Sequence, residues 1–217
     1  MQDDKFKSLL DKLWVNYSSL TPSAEKIHSL LIAQGEHKIV NDHIAFRTFD
    51  LPGFGINSIA KVFENYGYTV KDKYRFEAKK LNAVYLDYDN NLDGDLCDNS
   101  NRYPKIFISE LCVNEFKEVD WIKSCFEDTL VKYLGDIFNL DNLDNLDNLD
   151  KRVLSGAPWP KSYKVYEKLS KISEYAAWLY VWGHMANHFT INVNSLSKFK
   201  NLLGLNDFLL QHDFVLN

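Results

Sequence analysis

Histidine and arginine recur in this chain at spacings that would let them act together. In His43-Ile-Ala-Phe-Arg-Thr-Phe49, the apolar Ile44 and Phe46 alternate with His43, Ala45 and Arg47. Strand side chains alternate between faces, so His43, Ala45 and Arg47 share one face, with His43 and Arg47 about 13 Å apart. The pattern returns in His188-Phe-Thr-Ile-Asn-Val193, where Phe189, Ile191 and Val193 oppose His188, Thr190 and Asn192. If the two strands pair as pseudo-symmetric halves of a cup, His43 and His188 become equivalent positions facing one cavity. Two neutral imidazoles and one carboxylate form the facial triad of non-haem iron(II) sites, which keeps positions open for substrate and oxygen. Arg47 would then offer a planar fork to a substrate carboxylate. A single histidine of this kind lines a half-buried strand as readily as it binds metal. Matched placement in both segments leaves both readings open.

Other motifs carry less. His184-x-x-x-His188 would suit zinc if both residues lay on one helix, but Met185 stands where a general base is needed. A helix-to-strand change also separates the pair, so His184 is expected to cap the helix or line the cavity mouth. Asp89-x-Asn91-x-Asp93-Gly94 opens like a calcium loop, yet Ser100 occupies the position of the bidentate glutamate. It reads as a solvated hairpin loop. His28, His37 and His212 show no partner pattern and read as surface or capping residues. Trp159, Tyr163, Tyr166, Tyr175, Trp178 and Trp182 lie around helices, where packing is the expected role.

The elements that must position these residues follow from periodicity and turn signals. Residues 4–19 and 22–34 read as helices, the second opened by Thr21-Pro22 and closed by Gly35. After the strand at His43, Pro52-Gly53 breaks the chain and Ile56 to Tyr66 forms an amphipathic helix ending at Gly67. Strands are expected at Arg75 to Asp89, with a possible bend, and at Lys105 to Leu111. Residues 115–138 and 160–182 read as helical. Between them Asn-Leu-Asp repeats four times over 139–150, a period of three that suits neither helix nor strand and predicts a solvated insertion. After the strand at His188, Ser195 is placed to cap a helix through Leu203, and Asp213-Phe-Val resembles the Gly67-Tyr-Thr-Val that follows the earlier helix.

The chain thus divides into N-terminal helices (1–40), a first βα-β module (41–114), a helical insertion (115–187) and the start of a second module (188–217). The second unit reaches Asn217 where its remaining strands would begin, which reads as half a module or as part of a longer protein.

The 217 residues are 46% hydrophobic and 25% charged, the proportions of a globular domain with a sizeable core. Of the net charge of −5, four negatives sit in the Asn-Leu-Asp run, and the remainder is close to neutral. No basic stripe marks a nucleic-acid binder. No apolar run approaches the length of a membrane span, and the N-terminus lacks a secretory pattern. The three cysteines, Cys97, Cys112 and Cys125, form no CxxC pair, which predicts reduced thiols and a cytoplasmic location. Nothing in the sequence specifies an oligomeric state.

Four ordered segments carry a resemblance over nearly the whole chain: Asn41-Asp-His-Ile-Ala-Phe-Arg-Thr-Phe49, Phe76-Glu-Ala-Lys-Lys-Leu81, Lys105-Ile-Phe-Ile-Ser-Glu-Leu111 and Trp182-Gly-His-Met-Ala-Asn-His-Phe-Thr190. Together they resemble the DUF1338 family, whose characterised members are 2-oxoadipate dioxygenase/decarboxylases. The resemblance implies an α+β fold, a vicinal-oxygen-chelate-like mixed β-sheet cup built from two βα-type modules with flanking helices, here with an incomplete second module. It also implies Fe(II) held by His43, His188 and a glutamate, with Arg47 on the substrate carboxylate. The implied reaction converts a 2-oxo acid such as 2-oxoadipate, with O2, to 2-hydroxyglutarate and CO2. The family's glutamate lies in a C-terminal strand and is expected beyond Asn217. Within the chain, Glu110 is the best substitute carboxylate, although an ion pair or solvent exposure is its more ordinary role. The alternatives are another metal-dependent enzyme on the same scaffold, such as a hydrolase or isomerase, or a catalytically inactive fragment or binding domain.

Overall fold

A computed structural model of the chain describes residues 2–51, 53–89, 103–126, 146–199 and 201–216. The elements run α1 (Gln2–Leu20), α2 (Pro22–Ala33), β1 (Asn41–Phe49), α3 (Ile56–Glu64), β2 (Tyr68–Phe76), β3 (Leu81–Tyr88) and β4 (Lys105–Leu111). A helical stretch over 119–126, α4, follows. Then come α5 (Leu146–Leu154), α6 (Tyr163–Ile172), α7 (Glu174–Trp182), β5 (Ala186–Ile191) and α8 (Leu202–Gln211).

The five strands form one mixed sheet in the order β2-β3-β4-β1-β5. β1 runs parallel to β4 and antiparallel to β5. Alternation then sorts the two faces. On one face Ile44, Ile106, Ile108 and Leu86 are buried against Phe6, Leu9 and Leu13 of α1, Ile59, Val62 and Phe63 of α3, and Leu149 and Val153 of α5. On the other, Ala45 stands level with Phe107 on β4 and His188 on β5, and Arg47 stands level with Ser109. These residues floor a cavity of about 870 Å³. A smaller core joins Leu31 of α2 to Leu205 and Leu209 of α8. Glu36 is buried beside it and accepts hydrogen bonds from Ser197 N (2.9 Å), Ser197 Oγ (3.0 Å) and Lys198 N (2.7 Å), fixing the loop before α8. Burial pushes its pKa up, but those hydrogen bonds and the nearby Lys198 outweigh it and hold the carboxyl below its ordinary value.

Several elements differ from expectation. The strand expected over Arg75 to Asp89 is the second half of a hairpin, β2 and β3, turned through Glu77–Lys79 with Lys80 left-handed at φ 52°. The helix expected over 160–182 is two helices broken at Ser173, whose side chain accepts the Ala176 N–H and starts α7. Ser195 caps no helix. It ends a short 3₁₀ turn, Val193–Ser195, and Asn201 caps α8 by accepting the Gly204 N–H. Thr21 precedes α2 without a side-chain capping bond. The Asn-Leu-Asp run is not wholly solvated, because its last turn belongs to α5, where Leu149 is buried and Asp150 accepts the Tyr66 hydroxyl at 3.0 Å. Leu149 and Val153, four residues apart, share the buried side of that helix. The rest of the run, most of the calcium-like loop and Cys97 lie outside the described residues.

Candidate active site

β1 and β5 lie side by side in the sheet, and their register puts His43 opposite Thr190 and Ala45 opposite His188. That stagger brings the two imidazoles together, with His43 Nε2 3.2 Å from His188 Nε2 and the rings nearly perpendicular at 79°. Two nitrogens about 2.1 Å from a common ion lie about 3.0 Å apart at a right angle and about 3.4 Å apart at a tetrahedral angle. The observed spacing therefore fits two adjacent positions around one divalent ion. Among the described residues no third histidine, cysteine, aspartate or glutamate joins them in a cluster suited to a metal.

The surroundings orient both rings. Asp42 Oδ2 accepts the His43 Nδ1–H at 2.9 Å, which directs the His43 Nε2 lone pair toward His188. Thr190 Oγ1 lies 3.1 Å from the same Nε2. Asn187 meets His188 Nδ1 at 2.8 Å. The amide nitrogen, Asn187 Nδ2, is the atom that faces it and donates to it; the amide turned over, with its carbonyl accepting the Nδ1–H, would leave Nε2 free to coordinate. Burial, then the neighbouring His43 and Arg47, lowers the His188 pKa and keeps the imidazole uncharged.

Arg47 extends into the cavity between two aromatic faces, 4.9 Å from the Tyr175 ring and 4.8 Å from the Trp178 ring. It forms no ion pair among the described residues. Burial lowers its pKa, but an arginine starts so high that it stays cationic. A half-buried cation with its fork unclaimed is suited to bind a planar anion. Tyr175 fixes this clamp to the sheet: its hydroxyl donates to the Ser109 carbonyl at 2.7 Å and accepts the Thr48 N–H at 3.2 Å. Burial raises the Tyr175 pKa far above its ordinary value, so the phenol remains a donor.

The structure thus brings His188 and Arg47 to one cavity and sets the His43 ring against His188. It does not bring Glu110. That residue stands level with Thr48, five residues along β1 from His43 and about 16 Å away along the strand. Its carboxylate accepts the Ile56 N–H at 2.8 Å at the start of α3 and the Asn82 amide at 3.2 Å. His184 neither caps α7 nor lines the cavity. It is 1% exposed, and its ring stacks on Phe54 and meets Phe49 edge-on. Its backbone instead pairs with Gly156. His28 stacks on Trp14, His37 is exposed, and His212 donates Nδ1–H to the Phe208 carbonyl at the end of α8. Tyr175 and Trp178, expected only to pack, are the residues that sequence reasoning missed. Their spacing of three puts both rings on one face of α7, and an arginine on a neighbouring strand was the available signal.

The five-stranded mixed sheet, with two histidines facing each other from neighbouring strands, is a vicinal-oxygen-chelate-like fold. A glyoxalase superfamily protein from Ralstonia eutropha JMP134 shares the fold, with a TM-score of 0.64 and 16% identity over 92% of this chain and 64% of that one. The chain belongs to the 2-oxoadipate dioxygenase/decarboxylase family, whose model matches residues 11–214. It is 33% identical to the chloroplastic 2-oxoadipate dioxygenase/decarboxylase of Arabidopsis thaliana over 98% of this chain, and spans 55% of that relative's length. The crystal structure of the hydroxyglutarate synthase from Oryza sativa in complex with 2-oxoadipate matches with a TM-score of 0.80 and 32% identity, covering 98% of this chain and 66% of that one.

Proposed function

We propose that this cavity binds iron(II) and a 2-oxo acid and supports oxidative decarboxylation, with 2-oxoadipate as the substrate. One 2-oxoadipate and one O2 give one 2-hydroxyglutarate and one CO2; the C1–C2 bond breaks and both oxygen atoms of O2 enter the products. The observation that carries this reading is the pair of Nε2 atoms 3.2 Å apart, one of them on His188 in the cavity that also holds the stacked Arg47, which forms no ion pair among the described residues. Membership of the family and the 2-oxoadipate complex of the rice relative support the choice of substrate.

His43 and His188 would hold the metal, and a bound iron(II) would supply Lewis acidity and open positions where the 2-oxo acid and oxygen meet. Asp42 orients His43, and Asn187, with its amide turned so that the carbonyl accepts the His188 Nδ1–H, would set the metal-binding tautomer of His188. Arg47 binds the substrate's far carboxylate through its fork, so that the keto end is presented to the histidines. Phe76 and Phe107 line the cavity and limit water around the chain of the substrate. The thiol of Cys112 favours a reducing compartment such as the cytoplasm; no described helix is long and apolar enough to cross a membrane.

The test is oxygen consumption that requires both iron(II) and 2-oxoadipate. Equimolar oxygen loss, CO2 release and 2-hydroxyglutarate formation are expected, falling by at least about a thousandfold in His43→Ala. Undiminished turnover in that variant would remove His43 from the reaction.

A further inference from the structure

The mouth of the cavity is lined by Lys79, Lys80, Lys117 and Lys171 against two carboxylates, Glu118 and Glu174. The whole chain carries a net charge of −5, so this local excess of positive charge opposes the sign of the molecule. The four lysines are not equivalent. Lys80 donates to the Glu115 carbonyl at 2.6 Å and lies 4.1 Å from the Phe116 ring, and Lys171 pairs with Glu167 at 3.6 Å. Lys79 and Lys117 are exposed and form no ion pair among the described residues.

We infer that Lys79 and Lys117 make the cavity entrance selective for dianions, drawing in 2-oxo acids that carry a second carboxylate ahead of monocarboxylic ones. The inference rests on the reading of the cavity as a 2-oxo acid site, and assigns to the rim a role separate from the floor. A cleft walled by protein focuses the field of its charges and raises the local concentration of counter-charged ligand. Exposed lysines act over about a Debye length, ~8 Å at physiological salt, so the effect must weaken as salt rises. A ligand of charge −2 feels twice the potential energy of one of charge −1. The fold-change for the dianion is therefore the square of that for the monoanion. Contact at the far end of the substrate alone, as by Arg47, gives no such relation.

Association rates and affinities would be measured for 2-oxoadipate, for 2-oxohexanoate (equal length, one carboxylate) and for adipate (two carboxylates, no keto group), at low and high NaCl. The proteins are wild type, Lys79→Gln/Lys117→Gln and Lys79→Glu/Lys117→Glu. In the charge-reversed protein at low salt, a loss of about threefold for 2-oxohexanoate is expected beside about tenfold for both dianions. The neutralised protein should fall between, the differences should shrink at high salt, and melting temperatures should stay within a few degrees of wild type. Unchanged dianion binding in both variants, or equal losses for monoanion and dianion, would overturn the inference. Adipate binding as tightly as 2-oxoadipate, with the same dependence on the lysines, would uphold the rim while contradicting the 2-oxo acid reading. Failure of all three anions to bind wild type would contradict both.

Discussion

A guanidinium stacked between two aromatic faces keeps its N–H donors in a fixed plane, and Arg47 between Tyr175 and Trp178 has that constraint. An ammonium in its place keeps the charge but loses both the stacking and the two-point fork. Arg47→Lys is therefore expected to raise KM for 2-oxoadipate at least about tenfold while iron binding stays as in wild type. Steady-state kinetics with a parallel iron titration separates these effects, and an unchanged KM would take Arg47 out of the substrate site. The residues proposed to carry the chemistry are legible in the sequence because histidine and arginine fall on the polar face of an alternating strand. His184 was not legible in this way. Its burial between Phe49 and Phe54 depends on the packing of distant segments, and no local pattern marks it.

At the scale of elements, the sequence reveals best those with one buried face. β1, β4, α1 and α3 follow from alternation or helical spacing because one side of each meets the core. β2 escaped because only Tyr68 in it is buried, so no apolar alternation distinguishes it from a loop. The break between α6 and α7 escaped because α7 is apolar around most of its circumference, and only the Ser173 cap marks the joint. Glu110 shows how an element explains a conspicuous carboxylate: it ties β4 to the first turn of α3. Glu110→Ala should cost about 1–2 kcal/mol of stability, through the lost helix-terminal acceptor and the released Asn82 amide. That corresponds to a melting temperature lower by about 2–8 °C in a chain of this size. Iron stoichiometry should be unaltered, and loss of iron in this variant would make Glu110 a ligand after all.

Over the whole molecule, the cup depends on a joint where α7 turns into β5. Gly183 there has φ 65°, and a Cβ on it would meet the Gly156 carbonyl oxygen at 2.1 Å. The same joint buries His184. Burial lowers its pKa from 6.5 to about 3, so the folded imidazole stays neutral while the unfolded one protonates near 6.5. Its contribution is complete above pH 6.5 and is lost as the pH falls toward 3, with one proton taken up on unfolding. Denaturant unfolding between pH 7 and 4 should show that extra proton in wild type and lack it in His184→Phe; equal pH slopes would contradict the burial. All of this serves to hold β5 against β1, which is what makes two histidines 145 residues apart neighbours. X-ray absorption at the iron edge on anaerobically loaded protein tests that claim most directly. One iron per chain with two imidazole nitrogens at about 2.1 Å is expected, and His188→Ala should show one fewer. An iron with no imidazole scattering, or a spectrum identical in the variant, would contradict it.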